Sequence, residues 1–249
     1  MTMPTIIFTA GAKGGTGKTT ALGILISYLR EQGFKPVLLD MDDESKTLSR
    51  FFPEAQQLKT AANDYSHDIL LDKIIEEGEN LVIADLKGGT GDDTIKWWSA
   101  LRFDELETEH NIKFVCLASI TTSPDSAQSF FTWANGLQNR VAYIVCKNKK
   151  DGDICPDYER SIEGIRFHKN AEKLYEVEIE HLTKFMPELE RFDVTIAEVL
   201  GADKLSGTTA TGKTIGDLTL LKYTVRARLR TFQEGIYKQF EPVLEFLKE

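Results

Sequence analysis

Two stretches of the sequence put a lysine and a hydroxyl at the end of a glycine-containing turn, an arrangement suited to holding phosphate. Gly207–Thr214, GTTATGKT, fits G-x-x-x-x-G-K-[ST] at every position, whereas Ala12–Thr19, AKGGTGKT, has Ala12 where the first glycine belongs. Such a turn works because successive backbone N–H groups converge on one concavity at the positive end of a helix. A strand must therefore lead in and a helix must lead out. The early stretch follows the apolar run TIIFTA (5–10). It precedes Leu22, Leu25, Ile26 and Leu29, one face of a helix expected from about Thr19 to Gln32 and closed by Gly33. The late stretch follows VTIAEVLGADKLS, which reads as helix and polar loop with no buried strand. The early loop is the expected phosphate site, and the late one a flexible Gly/Thr connector.

Carboxylates stand at the ends of two further apolar runs. VLLDMDDES ends a strand in Asp40-x-Asp42, and NLVIADLKGG ends one in Asp85, with Gly88 and Gly89 close behind. A third run, YIVCKNKKD, ends in Asn148-Lys149-Lys150-Asp151, which fits N-K-x-D, a guanine-reading pattern in which the carboxylate accepts from the base.

The elements that must position these residues are strands buried on both faces, separated by helices. The strands are expected at 5–10, 36–40, 80–85, 113–119, 141–146 and 175–182. Asp92 or Asp93 can cap a helix carrying Ile95, Trp98 and Leu101, and Ser123 can cap another running through Leu137. Alternating strands and helices predict an α/β fold, a mostly parallel central sheet covered by helices on both faces. No repeat, low-complexity tract or linker divides the chain, so one domain over 1–249 is expected. Its C-terminal helix, roughly 214–248, carries Leu218, Leu221, Val225, Leu229, Phe232 and Ile236 on one stripe, with a kink or restart at Pro242.

With 30 basic and 39 acidic residues, the net charge of −9 argues against a surface blanketed by nucleic acid. Cys116, Cys146 and Cys155 form no C-x-x-C, and the first two sit in apolar runs, as reduced core thiols do. Four scattered histidines show no metal-ligand spacing. The N-terminal apolar run lacks the flanks of a signal and the length of a membrane span, so a cytoplasmic protein is expected.

KGGTGKTT, with Lys13 at its start and Lys18 before Thr19, resembles the deviant Walker A loop of the ParA/MinD family of P-loop ATPases, within the wider group with nitrogenase-iron-protein-like folds. Asp40-x-Asp42 and Asp85 are similar to that family's D-x-D and Walker B aspartates. The resemblance covers residues 5 to 150 by motif. It implies that Gly14, Gly15, Thr16, Gly17, Lys18, Thr19 and Thr20 wrap the phosphates of ATP. It further implies that Thr19, Asp85 and Asp40 hold Mg²⁺ or its water shell, that Asp42 orients the attacking water, and that Gly88 approaches the γ-phosphate. Asn148 serves adenine in such relatives, and ATP is expected over GTP. Lys13 is implied to reach the phosphates of a second subunit, making an ATP-gated homodimer. Two segments depart from the family's pattern: Leu86-Lys87 replaces a small residue and proline, and Asp43-Glu44 replaces Pro-Gln. Lys87 could sense the γ-phosphate or simply be solvated, and the second is expected.

The resemblance also implies a protein activator or DNA-binding adaptor, in partition, positioning or conjugative transfer. Between Lys222 and Lys238, five basic residues face one acidic residue. Lys222, Arg226, Arg228 and Arg230 are the candidates for non-specific DNA contact. Membrane targeting is not expected, and the Trp97-Trp98 pair is a candidate partner contact. Competing readings are an ATP-dependent synthetase or amidotransferase-type enzyme of the same group, a GTP switch, and a regulator that barely hydrolyses nucleotide.

Overall fold

The computed structural model describes residues 3–11, 15–58, 66–89, 91–153, 155–181 and 185–249. Lys13 and Gly14, both expected at the phosphate site, lie outside the described residues. The chain opens with β1 (Thr5–Ala10), α1 (Lys18–Glu31), β2 (Val37–Met41), α2 (Thr47–Phe51) and the two-residue β3 (Gln56–Gln57). Next come α3 (Asp68–Ile75), β4 (Leu81–Leu86), α4 (Gly91–Ala100) and α5 (Phe103–His110). They are followed by β5 (Lys113–Ile120), α6 (Pro124–Leu137), β6 (Ala142–Asn148), α7 (Pro156–Arg160), α8 (Ile162–Asn170) and β7 (Leu174–Ile179). The last part holds α9 (Met186–Arg191), α10 (Ile196–Gly201) and α11 (Tyr223–Lys248).

All seven strands pair in parallel, in the order β3-β2-β4-β1-β5-β6-β7. Successive side chains leave a strand on opposite faces, and here each face has its own core. Ile6 and Phe8 of β1, with Val82, Ala84 and Leu86 of β4, pack on one side with Trp98, Phe130 and Trp133. Ile7, Leu81 and Ile83 pack on the other, against Leu22, Leu25, Ile26 and Leu29 of α1 and Phe240 and Val243 of α11. The apolar runs are continuous because both faces are covered. A smaller cluster joins α9, α10 and the start of α11 around Leu189, Val199, Leu220 and Leu229.

The chain leaves β1 toward β2 and β3, returns through β4, then crosses to β5, β6 and β7 on the other side. The carboxyl ends beside β1 are thus the switch point at which an open α/β sheet leaves a crevice.

Several local expectations change. α11 starts at Tyr223 rather than near Thr214, because Thr214 pairs with Thr208 in a short hairpin and Asp217 accepts the Thr219 amide to start a 3₁₀ turn over Leu218–Leu221. Leu218 is consequently exposed. Pro242 neither breaks nor restarts α11, which runs 26 residues. Buried Phe240, Val243, Phe246 and Leu247 flank the proline and hold the helix on the sheet despite the missing donor. α4 begins at Gly91, so Asp92 and Asp93 lie in its first turn, where they complement the helix dipole rather than cap it. Trp97 and Trp98 are both buried, Trp97 donating to Asp68 Oδ1 at 2.7 Å, so the pair is core and not a partner surface. The three cysteines are buried free thiols, and burial pushes Cys146 up to about 12. No helix is long and apolar enough to cross a membrane among the described residues.

Phe240 is fully buried and stacked near Tyr28 of α1. Phe240→Ala is expected to destabilise the fold by about 3–5 kcal/mol in urea unfolding, because the cavity falls between α1 and α11.

Candidate active site

The turn between β1 and α1 is shaped by glycines with positive φ, at +76° for Gly15 and +90° for Gly17, the latter being the residue that caps α1. Gly17 has a second constraint: a Cβ there would sit 2.3 Å from Asn148 Nδ2. The turn's carbonyls are tied toward β5 and β6. Thr16 O accepts from Ser119 Oγ at 2.7 Å and from Asn148 Nδ2 at 3.0 Å, and Gly15 O accepts from Lys150 Nζ. In a planar trans peptide the N–H points opposite to the C=O. Anchoring these two oxygens therefore turns the amides of Thr16 and Gly17 away from β5 and β6. Asn148 is spent on this, its Oδ1 also accepting the Lys150 amide at 3.1 Å.

An open cleft of about 560 Å³ lies in front of the turn. Gly15, Gly17, Lys18, Thr19 and Thr20 form one wall, Asp42, Glu44 and Ser45 another, and Asp85 to Gly88 the floor and rim. At its base Asp85 is 3 % exposed. One carboxylate oxygen accepts from Thr9 Oγ1 at 2.9 Å and the other from Thr19 Oγ1 at 2.8 Å. Thr9 in turn accepts the Leu86 amide at 2.9 Å. Burial pushes the Asp85 carboxyl up to about 6, against the pull of both threonines and Lys18. Burial likewise lowers Lys18, with the charges of Asp85 and Asp42 opposing the shift.

Asp40, buried beside Asp85 in the register of β2 on β4, accepts the amides of Asp42 (3.2 Å) and Ser49 (2.8 Å). It builds the turn after β2. Asp42 accepts the amides of Glu44 at 3.2 Å and Ser45 at 3.0 Å. Burial raises the Asp42 carboxyl, but Ser45, the Glu44 amide and the Lys87 charge outweigh it and hold the group below the usual carboxylate range. Lys87 is not merely solvated: its ammonium pairs with Glu44 at 2.8 Å and Asp43 at 3.1 Å, and these partners raise it.

Sequence reasoning named Lys150 only within N-K-x-D and missed Thr9, Ser119, Arg50 and Glu190. The last two line the cleft, Arg50 bound to Asp193 at 2.6 Å. In the N-K-x-D stretch, Lys149 pairs with Glu178 and Glu180 of the β7 edge, and Asp151 is exposed. Of the basic stripe, Lys222, Arg228 and Arg230 are exposed. Arg226 instead donates to Leu200 O and Ala202 O at the end of α10.

The late glycine stretch is a closed hairpin rather than a flexible connector. Thr209 N donates to Lys213 O, Gly212 N to Thr209 O, and Ile215 N to Gly207 O, at 2.8–3.0 Å. Lys213 Nζ reaches Phe51 O and Asp193 O at 2.6 Å each and Glu198 at 3.3 Å. The amides of Thr209, Gly212 and Lys213 and the Lys213 cation are occupied inside the protein.

A hydroxyl and a carboxylate beside a phosphate-binding turn fit Mg²⁺, a hard ion that takes few protein oxygens and completes its shell with water and phosphate. Among the described residues no group of three or more His, Cys, Asp or Glu side chains is placed to hold a metal ion by itself.

The family described as the CobQ/CobB/MinD/ParA nucleotide binding domain matches residues 7–238. Among solved structures, the MinC:MinD cell division protein complex of Aquifex aeolicus is similar at 12% identity and a TM-score of 0.56, over 97% of this chain and 96% of that one. The signal recognition particle receptor FtsY from Elizabethkingia anophelis is 15% identical, with a TM-score of 0.48 over 74% of this chain. This chain spans 61% of that receptor chain. A plasmid partition protein from Borrelia burgdorferi is 14% identical, with a TM-score of 0.43 over 76% of this chain and 95% of that one. No curated protein matches the sequence.

Two expectations follow from the geometry. The Asp85 value lies above that of an unfolded carboxylate, so this group costs stability as pH rises from about 4 through about 6, by roughly 3 kcal/mol at most. Asp85→Asn should remove that loss, seen as a wild-type-minus-variant difference between urea unfolding at about pH 4.5 and about pH 8. Lys213→Met should lower stability by about 2 kcal/mol or more and leave binding of inorganic triphosphate intact. Lys18→Met should abolish that binding while leaving the fold in place, as isothermal calorimetry beside urea melts will report.

Proposed function

The chain belongs to the CobQ/CobB/MinD/ParA nucleotide-binding family, and from that premise we propose that it is a Mg²⁺-dependent ATPase acting as a nucleotide switch in DNA or cargo partitioning, positioning or conjugative transfer. The observation that carries the proposal is the Thr19–Asp85 bond at the head of α1, next to the half-buried Lys18. Residues 15–20 hold the phosphates, a role that Gly14 shares. The turn's amides and the α1 dipole favour anions, and Lys18 neutralises the β- and γ-phosphate oxygens. Thr19 and Asp85 hold Mg²⁺, with Asp40 fixing the turn beside them. When bound, the ion would neutralise phosphate charge.

Asp42, kept ionised by the amides of the turn it caps, orients the attacking water, and Gly88 approaches the γ-phosphate from the rim. Phosphoryl transfer depends mainly on positioning and electrostatics, so this set is chemically sufficient. Asn148 serves the phosphate loop first, since its Nδ2 donates to Thr16 O while its Oδ1 accepts the Lys150 amide in its own turn, and any contribution to base choice comes from what its second amide hydrogen can reach. The whole chain acts as one nucleotide-binding domain, with α11 packed on it. Lys13 crosses to a second subunit's phosphates, so ATP drives dimerisation and hydrolysis ends it. Non-specific DNA is met by Lys222, Arg228 and Arg230, without Arg226.

The test combines turnover and light scattering. ATP is expected to dimerise the wild type and ADP to leave it monomeric, with Lys13→Ala monomeric in both. Slow hydrolysis of ATP should rise with DNA or an activator and vanish in Lys18→Ala. A chain protected from unfolding by GTP but not by ATP would overturn the adenine assignment. Hydrolysis strictly dependent on a small-molecule substrate would favour a synthetase.

A further inference from the structure

The two turns flanking the cleft are joined by charge. β2 and β4 are neighbours in register, Asp40 opposite Asp85 and Met41 opposite Leu86, so the residues that leave their ends emerge side by side. Across that gap Lys87 Nζ meets Glu44 Oε1 at 2.8 Å and Asp43 Oδ1 at 3.1 Å. These three residues occupy the two segments in which the sequence departs from the family's pattern, and the departures contact one another.

Among the described residues, three cations line the cleft: Lys18, Arg50 and Lys87. Lys18 belongs to the phosphate turn. Arg50 is held by Asp193, whose own main-chain carbonyl is fixed by Lys213. Lys87 differs in being held by carboxylates whose side chains are 36 % and 77 % exposed, on a turn at the mouth of the cleft. Solvated ion pairs are weak and readily exchanged, whereas a phosphate dianion in a concave site offers more charge and several acceptor oxygens.

We propose that Lys87 is a reserve cation for the terminal phosphate of a bound triphosphate, held by Asp43 and Glu44 until the phosphate takes it. The transfer unties the turn after β2 from the turn after β4. It also leaves two carboxylates facing a polyanion, which drives the Asp43–Glu44 segment outward and reports the triphosphate at the surface. A diphosphate does not extend to Lys87 and leaves the clasp closed. The inference rests on the nucleotide-binding reading and adds to it the residue that distinguishes triphosphate from diphosphate.

The test is calorimetric titration of wild type, Lys87→Met, Lys87→Arg and the double variant Asp43→Asn/Glu44→Gln with ATP and with ADP, each with Mg²⁺. Lys87→Met should lose ATP affinity by about tenfold or more with ADP affinity unchanged, and Lys87→Arg should recover it. The double variant, which removes the competing carboxylates without touching the cation, should bind ATP more tightly. The proposal is overturned if Lys87→Met shifts ATP and ADP alike or neither, or if the double variant weakens ATP binding as Lys87→Met does. A wild type that binds neither nucleotide overturns the nucleotide reading and this inference together. Normal ATP preference in Lys87→Met overturns this inference alone.

Discussion

A carboxylate placed where water cannot reach it sets the terms for everything around it. Asp85 stands at the end of a central strand, almost fully buried, and the hydroxyls of Thr9 and Thr19 are its nearest compensation. Leaving such a group ionised in the interior is costly unless hydrogen bonds and a cation answer it. Thr9 does so because β1 lies beside β4, one residue beyond the Phe8–Ala84 pair. Thr19 does so because α1 starts within reach of both strands. The strand order thus sets a buried carboxylate, a half-buried lysine and the N-terminus of α1 side by side.

The main-chain geometry of the loop is secured from the other side of β1. Ser119 at the end of β5 and Asn148 at the end of β6 share one carbonyl, Thr16 O, and Lys150 takes the one before it. Glycine at 17 permits both the left-handed backbone and the close approach of Asn148. Half of the sheet therefore shapes the anion's seat and the other half supplies the acidic floor. The crevice between them is the natural place for a ligand in an open parallel sheet.

Much of this was legible in residue order because local and tertiary signals agree. Runs such as TIIFTA and NLVIAD are apolar without alternation since both sheet faces are covered, and Leu22 to Leu29 repeat with helical spacing because one face of α1 is core. The preference for the early loop over the better pattern match followed from the same reasoning. In the structure the late loop folds into a hairpin that uses the amides of Thr209, Gly212 and Lys213, and its lysine is held by Phe51 O, Asp193 O and Glu198. What could not be read are contacts between distant segments. Ser119 and Thr9 look like ordinary strand residues until their neighbours are known, and Arg226 is indistinguishable from Arg230 until α10 ends beneath it. Trp97 hides its polar edge on Asp68, a partner 29 residues away in sequence. Lys87 looked solvated because its two partners lie more than 40 positions away.

The central claim is that a triphosphate settles on the turn between β1 and α1, against the Thr19–Asp85 pair. Amide hydrogen exchange measured with and without Mg–ATP tests it most directly. The account predicts slowed exchange in residues 15–20 and 85–89 with no change in 207–214. Slowed exchange confined to 207–214, with 15–20 unaffected, would contradict it.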